Sequence, residues 1–232
     1  MSRVVQSARL HLINPLVMLG IPWLVVSISF AINLAIWHLT PAGEQDGGGF
    51  TAGVLALYCT VLVVYVQAVT QLLPFAMGMS LSRRTFHLGT ALVAVVQAAG
   101  YGVALSALIS LENATGGWGA DLDYWAPGPL EVEDPVLQAL VSGTPMLAFM
   151  AVGVGLGVVQ KRYGPPGTWG LIIATMVVFG GLAILVSWLG AWGSVTSWFG
   201  DQSIAMLAIG LPAALAAAIA LVSFPGIRRV VP

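Results

Sequence analysis

Six long apolar stretches without a single Asp, Glu, Lys or Arg dominate this sequence. They cover approximately residues 15–39, 51–77, 88–111, 136–160, 168–190 and 202–224. A helix that crosses the roughly 30 Å hydrocarbon core of a bilayer needs about 20 apolar residues. Continuous apolar runs also exclude a membrane β-barrel, whose strands alternate between apolar and polar residues. The sequence therefore predicts an all-α polytopic membrane protein with six transmembrane helices, forming a single transmembrane domain over residues 1–232.

The composition excludes several other classes of protein. Charged residues make up 7% of the chain and hydrophobic residues 58%, whereas roughly a quarter of a soluble domain is charged. The formal net charge of -1 offers no basic face for a nucleic acid. The lone Cys59 excludes a disulfide framework. Asp121 and Asp123 lack the further ligands of a calcium loop, so we expect no metal site.

The charges between the stretches alternate in sign along the chain. Basic residues stand at both chain ends and after the even-numbered stretches: Arg3, Arg9, Arg83, Arg84, Lys161, Arg162, Arg228 and Arg229. Acidic residues follow the odd-numbered stretches: Glu44, Asp46, Glu112, Asp121, Asp123, Glu131, Glu133, Asp134 and Asp201. Short loops rich in Lys and Arg stay in the cytoplasm. Both termini are therefore predicted to be cytoplasmic in a multi-pass protein of the cell membrane. The Ala-, Gly- and Val-rich usage favours a bacterial cytoplasmic membrane.

Residues 2–14 can form a short helix before the first stretch. At helical spacing, Val4, Val5, Ala8 and Leu12 share an apolar face, and Arg3, Gln6, Ser7, His11 and Asn14 share a polar one. Such a helix is expected to lie in the cytoplasmic interface with its apolar face toward the acyl chains. The alternative is a frayed basic tail that only sets the orientation.

Two short segments outside the stretches have features of their own. Pro74 is expected to kink or end the second stretch, and Ser80 or Ser82 to cap a small helix from Arg83 to Phe86. That basic turn, with an aromatic residue at its tip, either docks on a partner protein or only sets the orientation of the chain in the membrane.

Residues 188–200, rich in Trp and Gly, form either a pair of short re-entrant helices or an aromatic belt at the outer surface.

Polar residues inside the stretches are few and uncharged. Among them, Thr60, Gln67 and Gln71 lie near one face of the second stretch, and Gln97 and Tyr101 lie one turn apart on the third. Such residues either line a pathway or, more commonly, form hydrogen bonds between helices.

The stretches contain a glycine motif for helix packing but no motif for catalysis or ATP binding. Gly153 and Gly157 form a small-xxx-small motif for close helix packing. Proton-coupled carriers keep ionisable residues inside their spans, and these stretches contain no Asp, Glu, Lys or Arg. A P-loop motif and an intramembrane protease motif are also missing from the sequence. We expect a non-catalytic chain that binds no cofactor and takes any ATP-derived energy from another subunit.

The segment Leu73-Pro-Phe-Ala-Met-Gly-Met-Ser-Leu-Ser-Arg-Arg-Thr-Phe-His-Leu-Gly89 resembles a family motif. It is similar to the segment after the second helix in the membrane subunits of ATP-binding-cassette exporters. These are small six-helix permeases that pair with a separate ATPase. In that family, Gly-x-Ser-Arg-Arg-x-Phe forms a coupling helix that docks on the ATPase. Here Gly78 lies further from the Ser-Arg-Arg triplet than in the family pattern.

The resemblance implies a set of docking residues, partners and a mechanism. The docking residues would be Gly78, Ser80, Ser82, Arg83, Arg84, Thr85 and Phe86. The partners would be a P-loop ATPase, which binds ATP and Mg²⁺, and a second permease copy or homologue in the lipid bilayer. The cargo would be a hydrophobic or amphipathic drug, peptide or lipid.

Two other functions remain open from the residues alone. One is a non-transporting membrane scaffold or sensor component. The other is an energy-independent facilitator, in which Gln67, Gln71 and Gln97 would line a pore.

Overall fold

The chain is helical almost throughout, which confirms the predicted all-α class. The structure, a computed structural model, describes residues 3–40, 49–126 and 130–228. Its helices are α1 (Arg3–His11), α2 (Leu16–Leu39), α3 (Leu55–Gly78), α4 (Arg83–Ala114), α5 (Pro135–Trp188), α6 (Trp192–Asp201) and α7 (Met206–Ile227). Two-residue strands β1 (Gly49–Phe50) and β2 (Leu122–Asp123) pair in parallel. The predicted loop acids Glu44 and Asp46, and Arg229, lie outside the described residues.

Five of these helices are long and apolar enough to cross a membrane. They are α2, α3, α4, α5 and α7, with 24, 24, 32, 54 and 22 residues. At 1.5 Å per residue, α5 would be about 81 Å long, which is more than twice the roughly 30 Å of a hydrocarbon core. A break within α5 resolves this mismatch.

The break in α5 lies at Gly164, where φ is 68° and ψ is -168°. Only glycine adopts this backbone conformation readily. Pro165 and Pro166 follow, and neither can donate an amide hydrogen bond to the preceding turn. The break divides α5 into α5a (135–163) and α5b (165–188), which correspond to the predicted stretches 136–160 and 168–190.

A widened helical turn precedes a proline in three of the long helices. These turns are Leu16–Gly20 before Pro22, Ala68–Leu72 before Pro74, and Met206–Gly210 before Pro212. A proline lacks an amide donor, and its ring presses on the carbonyl four residues earlier. In a wider turn each carbonyl bonds to the amide five residues later instead of four, which leaves space for the proline ring. Pro74 therefore does not end α3, which continues to Gly78.

The basic and acidic residues lie at opposite ends of the helices. At one end, Ser7 of α1 packs on Gly89 near the start of α4, and Phe224 of α7 packs on His87. This basic end also contains the end of α5a, with Lys161 and Arg162. The opposite, acidic end contains the other ends of α2–α4, the start of α5a and the described acids. The charge alternation of the sequence thus becomes a separation in space.

Helices α5a and α7 run side by side in the same direction. Phe149 lies near Pro212, and further along both helices a Cβ built on Gly155 would stand 3.2 Å from Ile219 Cγ2. Nearer the basic end, a Cβ on Gly226 would stand 2.9 Å from Val158 Cγ1. Because α5a ends at the basic end and α7 begins at the acidic end, residues 164–205 connect opposite ends.

Glycines let the central helices approach closely. A Cβ at Gly143 would stand 2.8 Å from the Ala98 carbonyl oxygen of α4. On the other side of α5a, Gly153 faces Tyr65, and a Cβ at Gly157 would stand 2.7 Å from Val69 Cβ. Backbone contact of this kind maximises van der Waals packing between helices in a lipid-like environment.

We predict that Gly153→Ala destabilises the protein. Its new Cβ would meet the Leu62 carbonyl oxygen and, at 2.9 Å, Tyr65 Cβ; these atoms cannot move away without shifting α3. Overpacking of this kind costs about 1–3 kcal/mol. The thermal unfolding midpoint in detergent should fall. Gly180→Ala is the matched control, because nothing lies within 4 Å of its Cβ position. Equal midpoints for the two variants would contradict the prediction.

Candidate docking site at the basic end of the helices

A four-residue connection joins α3 to α4 at the basic end. The Leu81 amide donates to the Ala76 carbonyl at 3.1 Å, and the Ser80 amide donates to the Met77 carbonyl at 3.0 Å. This is a Schellman motif, in which the first residue past the helix cap takes a left-handed conformation. Ser80 occupies that position with φ at 60°. Gly78 lies within α3, so the displaced glycine of the sequence motif does not form the turn.

Ser82 caps α4, as one of the two predicted capping residues. Its side-chain oxygen accepts a hydrogen bond from the Thr85 amide at 3.1 Å, which satisfies one of the free donors in the first turn. The predicted small helix from Arg83 to Phe86 is instead the first turn of the 32-residue α4. It is not a separate element, because the apolar sequence after Phe86 continues the helix without a break.

The side chains of this connection differ in their exposure. Gly78, Ser80, Ser82 and Arg84 are exposed, whereas Arg83 and Thr85 are half-buried. The exposed apolar side chains nearby are Phe75 and Met79. A surface of Phe75, Met79, Ser80, Ser82 and Arg84, here called the basic-end loop surface, is therefore accessible to a partner.

Phe86 lies inside the protein, unlike the aromatic tip that the sequence predicts. Only 1% of its surface is exposed, and its ring stacks on His11 of α1 with 5.5 Å between centroids. The helical periodicity of α4 turns Phe86 toward α1, whereas Arg84 points outward. Phe86 thus anchors α1 on α4.

Helix α1 packs on α4 through residues of both predicted faces. Ser7 and His11 of the polar face and Ala8 of the apolar face are buried, whereas Leu12 of the apolar face is 48% exposed. Ser7 fits because Gly89 has no side chain. The Thr90 hydroxyl lies 3.1 Å from His11 Nε2. Helix packing and this hydrogen bond thus hold α1 against α4.

Burial lowers the pKa of His11. Desolvation disfavours the charged ring, and the hydrogen bond of Nδ1–H to the Ser7 carbonyl opposes the shift only in part. The neutral ring is therefore the form that holds α1 against α4.

Gln97 and Tyr101 connect α4 to the irregular start of α2. The Gln97 side-chain amide donates to the Met18 carbonyl at 3.1 Å. Pro22, four residues after Met18, has no amide hydrogen for that carbonyl. The Tyr101 hydroxyl donates to the Leu19 carbonyl at 3.3 Å, and the Tyr65 hydroxyl donates to Gln97 Oε1 at 3.1 Å. Both predicted residues thus form hydrogen bonds between helices.

The other polar residues predicted near a pathway lie apart from this pair. Thr60 donates to the Ala56 carbonyl of its own helix at 2.6 Å. Gln67 and Gln71 are exposed and line a cavity of about 140 Å³ beside His11. The five residues do not line one common pore among the described residues.

Glu112 has a structural role that sequence reasoning missed. The residue is 2% exposed, and its carboxylate accepts hydrogen bonds from Trp118 Nε1 at 2.9 Å, the Tyr124 amide at 3.1 Å and the Trp125 amide at 3.2 Å. It ties the loop at the acidic end onto α4. The sequence did contain a signal for this role, because Glu112 directly follows an apolar stretch and the aromatic residues Trp118, Tyr124 and Trp125 come after it in the same loop.

We predict that the attachment of α1 weakens at acidic pH. Unfolded His11 has an ordinary pKa near 6.5 and the folded residue a lower one, so the unfolded state binds more protons in between. The stabilising contribution is therefore complete above about pH 6.5 and is lost as the pH falls toward the lowered value. Hydrogen exchange of residues 3–11, corrected for intrinsic rates, should increase between about pH 7.5 and 5.5.

Two variants separate His11 from His87, a nearby histidine of α4 that is also buried. His11→Gln should remove the pH dependence of exchange in α1, whereas His87→Gln should retain it. An unchanged pH dependence in His11→Gln would contradict the role of this ring.

Comparison with known proteins provides no family for this chain. No family model, curated protein or solved structure matches it.

Proposed function

We propose that the chain is the permease subunit of an ATP-binding-cassette exporter, and that a separate P-loop ATPase subunit drives it. The basic-end loop surface is the observation that carries this proposal. It presents an exposed cation, Arg84, and exposed apolar side chains, Phe75 and Met79, on a tight connection between two long helices. A partner that docks there can push directly on α3 and α4.

The hydrogen bonds of α4 support a mechanical role for this helix. Arg84 stands in its first turn, and Gln97 and Tyr101 further along bond to backbone carbonyls of α2. Phe86 and Thr90 link the same helix to α1. Movement of α4 at the loop would thus be transmitted to both neighbouring helices.

We further propose six membrane crossings with the basic end in the cytoplasm of a bacterial cell. The parallel arrangement of α5a and α7 supports a crossing by α5b, because that segment connects opposite ends. The separation of basic and acidic residues supports the orientation, since Lys and Arg favour the cytoplasmic side. Helix α1 would then lie at the cytoplasmic surface, and the ten-residue α6 would be a re-entrant or interfacial helix on the outer side.

Apolar cavities between the helices support a hydrophobic or amphipathic cargo. One of about 420 Å³ lies between α3, α5a and α7 near the acidic end, with Tyr58, Phe149 and Leu207 in its lining. Its volume falls in the range of small-molecule sites. A second permease subunit would complete the transport pathway.

The docking prediction concerns Arg84. We expect a neighbouring reading frame to encode the P-loop ATPase; co-expression with it should give a stable complex, whereas the chain alone should bind no nucleotide. Arg84→Glu should reduce recovery of the ATPase about tenfold or more, because a cation at an interface is replaced by an anion.

Arg3→Glu is the matched control for docking. It makes the same charge change at an exposed residue of the basic end, but on α1, and should leave recovery unchanged. The docking proposal fails if no ATPase is recovered with the wild-type chain, or if both variants behave alike.

Cysteine labelling tests the number of crossings. In a Cys59→Ala background, Asp201→Cys should react with an impermeant maleimide in intact cells, and Ser80→Cys only after permeabilisation. If α5b did not cross, both cysteines would lie on the same side and would label together.

A further inference from the structure

A second site lies in a lateral groove at the basic end, away from the basic-end loop surface. It has a volume of about 470 Å³ and lies between α5a, α7 and the first turns of α5b. Its lining includes Val152, Gly155, Val159, Leu171, Ile219 and Val222. The apolar walls exclude a polar ligand from the body of the groove.

Small residues form the floor of the groove. At Gly155 and Gly226, α5a and α7 approach so closely that an added Cβ would stand 3.2 Å from Ile219 Cγ2 or 2.9 Å from Val158 Cγ1. Ala218 contributes only a methyl group, and its position is exposed. Leu171, which follows the break at Gly164, closes a third side. The shape is thus open toward the surroundings of the helices and closed toward the core.

The mouth of the groove carries positive charge. Arg162 and Tyr163 line it, and the Arg162 guanidinium lies 4.9 Å from the centre of the Tyr163 ring. Lys161 stands beside them in the sequence. The acids that the structure describes lie at the opposite end of the helices, so no described carboxylate competes for these cations.

The groove matches one leaflet of a bilayer in length. Val152 and Arg162 are ten residues apart on α5a, which corresponds to about 15 Å. This distance is half of the roughly 30 Å hydrocarbon core. A ligand that fits would therefore be an amphiphile with an apolar chain of leaflet length and an anionic head.

We propose that this groove binds an anionic phospholipid from the leaflet at the basic end. One acyl chain lies along Gly155, Ala218 and Ile219, and the phosphate contacts Arg162 and Lys161. Cationic clusters at the membrane surface attract anionic lipids. This site does not depend on the proposed ATPase partner, and its occupant is a resident lipid instead of transported cargo.

Native mass spectrometry of the purified chain tests the head-group preference. The protein is titrated with phosphatidylglycerol or phosphatidylcholine of identical acyl chains. We expect phosphatidylglycerol to be retained about tenfold more strongly. The double variant Lys161→Glu/Arg162→Glu should reduce its retention to that of phosphatidylcholine, and the milder Arg162→Gln should reduce it in part. Arg3→Glu, at the same end of the helices, should retain the wild-type preference.

A second pair of variants tests whether an acyl chain lies in the groove. Ala218→Phe should fill the groove and lower phosphatidylglycerol retention while the charges stay the same. Ala214→Phe is the matched control, because Ala214 is exposed one turn earlier on α7 and does not line the groove. Unfolding midpoints measured without added lipid check that all variants are folded.

Three outcomes would overturn the proposal. Equal retention of both lipids would mean that the groove holds bulk lipid without selection. An equal loss in Arg3→Glu would mean general attraction to a basic surface. Unchanged retention in Ala218→Phe would mean that the head group binds at the surface with no chain in the groove. Recovery of the ATPase with Arg84→Glu is a separate measurement, so failure of either proposal is distinguishable from failure of the other.

Discussion

The need to satisfy backbone hydrogen bonds in an apolar environment controls this structure. Each unpaired amide or carbonyl within a membrane costs several kcal/mol, yet α2, α3, α5 and α7 all contain prolines. In α2, α3 and α7, widened turns relieve the proline ring without ending the helix. At the start of α2, Gln97 donates to the Met18 carbonyl that Pro22 cannot serve. Gln97 and Tyr101 of α4 thus donate hydrogen bonds to backbone carbonyls of α2, and these bonds also join the two helices.

Close packing through glycine provides the second constraint, and it divides the molecule into two parts. Helices α3, α4 and α5a approach one another at Gly143, Gly153 and Gly157, where added side chains would meet backbone atoms. Helix α5b has almost only exposed residues. In the packed part, these close contacts leave the helices little room to slide independently. The looser part leaves the lateral groove beside α7 open to the surroundings.

The helical stretches and the separation of charge could be predicted from the sequence because both depend on local composition. Ser82 could be predicted as a cap because an N-cap needs only a side-chain oxygen next to free amides. The predictions for Phe86, Ser7 and His11 were wrong about exposure, because these side chains meet partners far away in sequence. For the same reason, Glu112 resembled the other loop acids, although the fold surrounds its carboxylate with three donors.

The sequence by itself determined that the chain forms long apolar helices with basic residues between some and acidic residues between others. Hydrophobicity and charge act on each segment independently of its neighbours, which makes these properties readable from residues alone. Only the tertiary structure decided that α5a and α7 run parallel and that Arg162 lies at the mouth of an apolar groove. These features depend on which helices touch, and that is set by the fit of side chains distant in sequence.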